Sequence, residues 1–128
     1  MACIYSKDST APVVEIRVVG RVTQNDMDSI LPKLEAAIDK HGSIRLVEVL
    51  ESFEGFDPTT ILDGIKFDLN HLTDVTHANV VSDIPWVGMM TRAASMVLPV
   101  SVRVFSMDQL DEARNWVRTA DRDSSAAA

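Results

Sequence analysis

The sequence predicts a single α/β domain: a mainly parallel sheet of four to five strands with flanking helices. Three observations carry this. Short segments with strand character, "VVEIRVV" at 13–19, "IRLVEVLE" at 44–51 and "HANVVS" at 77–82, alternate along the chain with longer segments of helical periodicity. The segment at 44–51 is apolar on both faces apart from Glu48, which calls for cover on both sides, as in a central strand of such a sheet. Two strands also run almost directly into Asp-Pro or Asp-x-Pro helix starts, at 57–58 and 83–85.

A short extra strand is expected around 2–6. In 13–19, Val14, Ile16 and Val18 share one face and Glu15 and Arg17 the other, the pattern of a half-buried strand, with Gly20 marking its end. Thr23 reads as an N-cap, and Met27, Ile30, Leu31, Leu34 and Ile38 follow at helical spacing until Gly42 closes the helix. Pro32 lies inside that pattern and predicts a kink or a first turn set apart.

After the central strand comes "ESFEGFDPTT" at 51–60, read as a loop that turns at Gly55. Asp57 is its N-cap and Pro58 the first residue of a helix over about 57–72, striped by Ile61, Ile65, Leu69 and Leu72. The strand at 77–82 leads into a helix over 84–98, and Val100, Val102 and Val104 alternate as a further strand. "SMDQLDEARNWV" at 106–117 opens with a capping box between Ser106 and Gln109. The order is β–α–β–α–β–α–β–α, with right-handed crossovers expected. Residues 1–120 form the domain, and 121–128, small and polar, are expected to be a disordered tail.

At 128 residues and 46% hydrophobic content the chain can bury a real core. Twelve Lys and Arg against 19 Asp and Glu leave a charge of −7, which argues against nucleic acid and anionic lipid surfaces as partners. The lone Cys3 excludes an internal disulfide and suits a reducing cytoplasm. No basic stretch followed by an apolar run marks a secretory signal at the start. "IPWVGMMTRAASMVLPV", broken by Pro85, Arg92 and Pro99, is not a membrane span.

Ligands of such folds meet the carboxyl ends of strands, which singles out "ESFEGFDPTT" and "SDIPW". Neither offers a nucleophile. Ser52 and Ser82 lack a sharp Gly-flanked turn and read as turn or cap hydroxyls, and Cys3 has no partner cysteine. His41 suits the end of a helix as an imidazolium, while His71 and His77 flank a helix-to-strand turn without ligand spacing and read as surface residues. Glu48, Glu51, Glu54 and Asp57 form a solvated acidic rim. No catalytic residue, metal ligand, phosphate cradle or cofactor motif is found.

The aromatic and methionine residues are more informative. Phe67 falls off the stripe of its own helix and predicts a homodimer contact. Trp86, Met89, Met90, Ala93, Met96 and Val97 make an apolar arc wider than a core stripe; deep packing of that helix is one reading, a pocket or subunit contact the other.

In this order, "VVEIRVVGRVT", "IRLVEVLESFEGFDPTTILDGIKFDLNHL", "NVVSD", a Trp-bearing helix and "VRVFSMDQLDEARNWV" resemble the SpoIIAA-like group of STAS-related bacterial proteins over about residues 13–118. The resemblance implies a β/α superhelix, a cytoplasmic location and no cofactor, with relatives among anti-anti-sigma regulators and lipid-carrier domains. It also implies a phosphate-accepting Ser or Thr at the helix start after the second core strand. Here that stretch is "FEGFDPTT", without the Asp-Ser-Ser-Gly pattern, and only Thr59 and Thr60 stand in for the acceptor.

Two functions are therefore expected. The first is a non-enzymatic binding domain that takes a small apolar or amphipathic molecule near Phe53, Phe56, Trp86, Met89 and Met90. The alternative is a regulatory protein-interaction module acting as a homodimer through Phe67 and the Met-rich helix.

Overall fold

A computed structural model of the chain describes residues 3–7, 11–57, 74–96 and 101–120. Within them the order is β1 (Cys3–Lys7), β2 (Val13–Val22), α1 (Gln24–His41), β3 (Ile44–Phe56), β4 (Val75–Val81), α2 (Pro85–Ser95), β5 (Ser101–Phe105), a 3₁₀ turn (Met107–Gln109) and α3 (Leu110–Thr119). The five strands form one sheet in sequence order, β1-β2-β3-β4-β5. β1 is antiparallel to β2, and the other pairings are parallel. The predicted extra strand is thus the antiparallel edge of an otherwise parallel sheet.

Parallel strands laid down in one direction with crossovers of one hand carry their connecting helices on one face. α1 covers that face: its Ile30, Leu34, Ala37 and Ile38 pack with Val14, Ile16, Val18 and Val22 of β2 and with Ile44. α2 lies on the same side, its Trp86 ring 5.8 Å from that of Phe53, which itself packs against this core. The final helix, α3, returns to the opposite face, where Ala113 and Val117 cover Val47, Val49, Val81 and Phe105. Cover on both faces is what the run at 44–51 demanded.

Local signals held at most helix ends. Thr23 caps α1 in a capping box with Asp26, Gly42 closes it at φ +80, and Ser106 with Gln109 forms the box ahead of α3. Four expectations change. α1 runs unbroken through Pro32, so no first turn is set apart. β2 does not end at Gly20 but reaches Val22, with register shifts at Val18/Val19 and Gly20/Arg21 that a glycine at φ +89 accommodates. "ESFEGF" is not a loop: β3 continues to Phe56, pairing Ser52, Phe53, Gly55 and Phe56 with Val19, Gly20, Arg21 and Val22. His77 is a fully buried residue of β4, not a surface histidine. The helix expected at 57–72, with Phe67 and His71, and the tail at 121–128 lie outside the described residues.

Candidate functional site

The carboxyl ends of the parallel strands are tied together by their own polar groups. Ser82 Oγ donates to the Leu50 carbonyl (2.9 Å) and accepts from the Ile84 amide (3.2 Å), while the Ser82 amide donates to the Phe105 carbonyl. Ser52 Oγ accepts from the Gly20 amide at 3.0 Å. Both serine hydroxyls thus tie strand ends together. Asp83 accepts from the Met107 amide at 2.9 Å. Asp57, read as the cap of the helix that follows it, accepts from Arg21 Nε (2.9 Å) and from the Gln24 amide (3.3 Å), at the first turn of α1.

The other reactive groups are shaped by burial. Burial, reinforced by the Asp26 and Glu48 carboxylates, pushes the Cys3 thiol up to about 11, so the thiolate that nucleophilic or metal chemistry needs is suppressed. His41 does close α1, but burial and the nearby Lys7 and Lys40 lower its pKa, which favours the neutral ring over the expected imidazolium. Among the described residues no three His, Cys, Asp or Glu side chains group as a metal site.

The apolar residues of the prediction come together only in part. Phe53, on the last stretch of β3, meets Trp86, in the first turn of α2, with ring planes tilted by 59°. Phe56 sits at the register position opposite Val22. Met89 and Met90 do not close over this pair. Trp86 is 51% exposed, Met89 72%, Met90 64% and Met96, just past the helix, 86%. α2 instead buries Val87 and packs on β5. The described part of the apolar arc, Trp86 to Met96, thus faces outward, and the deep-packing reading of that stretch is overturned.

A cavity of about 260 Å³ lies elsewhere, on the α3 side near the amino end of β2. Its described lining is Ser6, Lys7, Val13, Glu15, Val47, Arg114 and Arg118, none of them among the five predicted ligand residues. Sequence reasoning missed it because Glu15 and Arg114 are 99 positions apart and each, alone, reads as an ordinary surface charge. Among the described residues no helix is long and apolar enough to cross a membrane.

With this geometry in hand, comparison with known proteins is informative. The family described as SpoIIAA-like matches residues 13–118. A protein of the DUF3478 family from Shewanella loihica PV-4, solved as a SpoIIAA-like fold, is similar over 91% of this chain and 92% of its own, at 19% identity and a TM-score of 0.76. The anti-sigma factor antagonist SpoIIAA in its unphosphorylated form is similar over 92% of this chain and 99% of its own, at 18% identity and a TM-score of 0.58. No curated protein matches by sequence.

Proposed function

This chain belongs to the SpoIIAA-like family, and we propose that it works as a non-enzymatic protein-interaction module whose contact surface is the outer face of α2. One observation carries the reading: Trp86, Met89, Met90 and Met96 turn to solvent together on and just beyond one helix. A contiguous exposed apolar patch with Trp and Met is the composition of a protein contact, and flexible methionines adapt to a partner's shape. The carboxyl-end groups that could do chemistry are already engaged in the fold. One structural neighbour is an anti-sigma factor antagonist, and regulatory contact of that general kind is the work assigned to this chain.

The occupant proposed is a second copy. α2 carries Arg92 and no acid, so its face is spared the repulsion expected between molecules of net charge −7. Antiparallel pairing about a two-fold near Met89 and Met90 buries the patch against itself and turns Arg92 toward the end of the partner helix that Asp83 precedes. Sedimentation of the parent at micromolar concentration should give a dimer, and Met89→Glu with Met90→Glu should give a folded monomer. A monomeric parent, or a dimer untouched by the double substitution, refutes the pairing.

The contact between Phe53 and Trp86 favours a second reading, in which these two rings with Phe56, Met89 and Met90 receive a small apolar or amphipathic molecule. Native mass spectrometry separates the two: a co-purifying mass on each chain supports the ligand, and a dimer mass without addition supports the pairing.

A further inference from the structure

The structure sorts the described methionines by access. Met27 of α1 packs on the core between that helix and the sheet, and Met107 packs on the core beneath α3. Met89, Met90 and Met96 instead stand open to solvent together, beside Trp86. The chain's single cysteine is closed to oxidants by comparison: Cys3 is buried, and burial raises its thiol to about 11, so the reactive thiolate is scarce. A thioether has no proton to lose, and its reaction with an oxidant is governed by access to the sulfur. The sulfurs that an oxidant reaches most readily are therefore gathered on the face through which the chain is proposed to pair.

We propose that Met89, Met90 and Met96 form a site of reversible oxidation by peroxides, and that their sulfoxides hold the chain as a monomer. The inference rests on the pairing through α2 and adds its regulation. In the step, a sulfur lone pair attacks one peroxide oxygen, and the S–O bond forms as the O–O bond breaks. Sulfur is oxidised and peroxide reduced; the departing hydroxide takes the proton carried over with the transferred oxygen and leaves as water. A dithiol reductant, acting through a methionine sulfoxide reductase, reverses the change, the oxygen leaving as water and the two thiols joining as a disulfide. The sulfoxide puts a strong hydrogen-bond acceptor where the thioether had only apolar surface to bury, and burying it without a donor is unfavourable. A two-fold contact presents each modified position twice once both protomers are oxidised. The fold itself is spared, since α2 is anchored through Val87 and not through these side chains. Pairing covers the sulfurs, so peroxide acts on the dissociated chain and draws the equilibrium toward it by mass action.

The test exposes the full chain to hydrogen peroxide, at micromolar concentration and at a dilution where the dimer dissociates, mapping oxygen uptake by peptide mass spectrometry while sedimentation reports association. Met89, Met90 and Met96 should take up oxygen before Met27 and Met107, and faster in the dilute sample. The oxidised chain should keep its native circular dichroism and associate about tenfold or more weakly, and a methionine sulfoxide reductase with dithiothreitol should restore the dimer. Met27→Leu with Met107→Leu, a volume-conserving pair, should leave the response to peroxide in place. Uptake at Met27 and Met107 ahead of the α2 methionines, loss of the response in that variant, or a dimer as tight after oxidation as before overturns the proposal. A parent that is monomeric before peroxide is added refutes the pairing itself, whereas a dimer that survives oxidation refutes only its regulation.

Discussion

Asp26 is one of the few buried charges, and its surroundings explain how it is tolerated. Burial acts to raise its pKa, but donors outweigh it: the Thr23 amide and hydroxyl, each at 2.8 Å, and the backbone of Cys3. The net pKa is lowered. Glu15 is lowered as well, chiefly by its bonds to Arg114 against the opposing effect of burial. A carboxylate whose folded pKa is depressed binds fewer protons folded than unfolded, so its stabilisation is complete above the ordinary carboxylate range and is lost as pH falls through the folded value. Urea unfolding should therefore show stability falling on acidification below the ordinary values of 3.8 for Asp26 and 4.5 for Glu15. The fall should be shallower in Asp26→Asn. At this same edge, Cys3 should react slowly with a thiol reagent at mildly alkaline pH and quickly once unfolded, because only unfolding lowers its pKa from about 11. A fast native reaction would contradict the burial assigned to it. The bland reading of Cys3, Ser52 and Ser82 was available from local pattern. The burial of His77 was not: its edge contact with Trp116, ring centroids 5.7 Å apart, is made by a residue 39 positions along the chain.

At the scale of elements, periodicity recovered each described strand and helix but misplaced several ends. Glycine is the reason. Gly20 and Gly55 look like punctuation, yet both sit at positive φ inside paired strands, +89 and +107, where they absorb the irregular register of β2 against β3. Gly20→Ala should cost about 1–2 kcal/mol from the left-handed backbone alone. The added Cβ would also stand 3.2 Å from Glu54 Oε2. Denaturant melts that leave Gly20→Ala as stable as the parent would remove this account of the bulge. Orientation is the other gap. A helical wheel shows that α2 has an apolar arc wider than one core needs, but not which part faces in. That choice is made where α2 packs on β5, with Val87 buried and Trp86, Met89 and Met90 left out. Phe53 lies between the two situations, half-buried against the core and against Trp86. Phe53→Ala should cost about 2–3 kcal/mol, below the ~3–5 kcal/mol of a fully buried Phe.

The whole molecule is closed by its last helix. Among the described residues α3, with Ala11 and Met107, covers the second face of the sheet, and it is fastened to three strands by polar side chains. Glu15 of β2 holds Arg114; Arg45 of β3 donates to the carbonyls of Val117 and Ala120 at 2.9 and 2.7 Å; Asn79 of β4 donates to the carbonyl of Ala113 at 2.8 Å. None of these ties was visible in the sequence, because each joins residues at least 34 positions apart and polar residues in strands carry no signal of their partner. They are not equivalent. Arg45 satisfies carbonyls at the end of α3 that have no acceptor role within the helix, so its removal strands them. Asn79 makes one bond but leaves its own buried Oδ1 without a partner, so the residue that makes the tie also imposes a desolvation cost. Arg45→Met, which keeps the aliphatic stem, should therefore lose about 1.5–3 kcal/mol, the worth of charge-assisted bonds to buried acceptors. Asn79→Leu removes a made bond and an unmade one together and should change stability by less than about 1 kcal/mol. Chemical denaturation of the two variants under identical conditions measures the difference directly. An Asn79 variant that loses as much as the Arg45 variant would mean that Oδ1 has a partner, such as an ordered water, and that α3 is held at β4 as firmly as at β3.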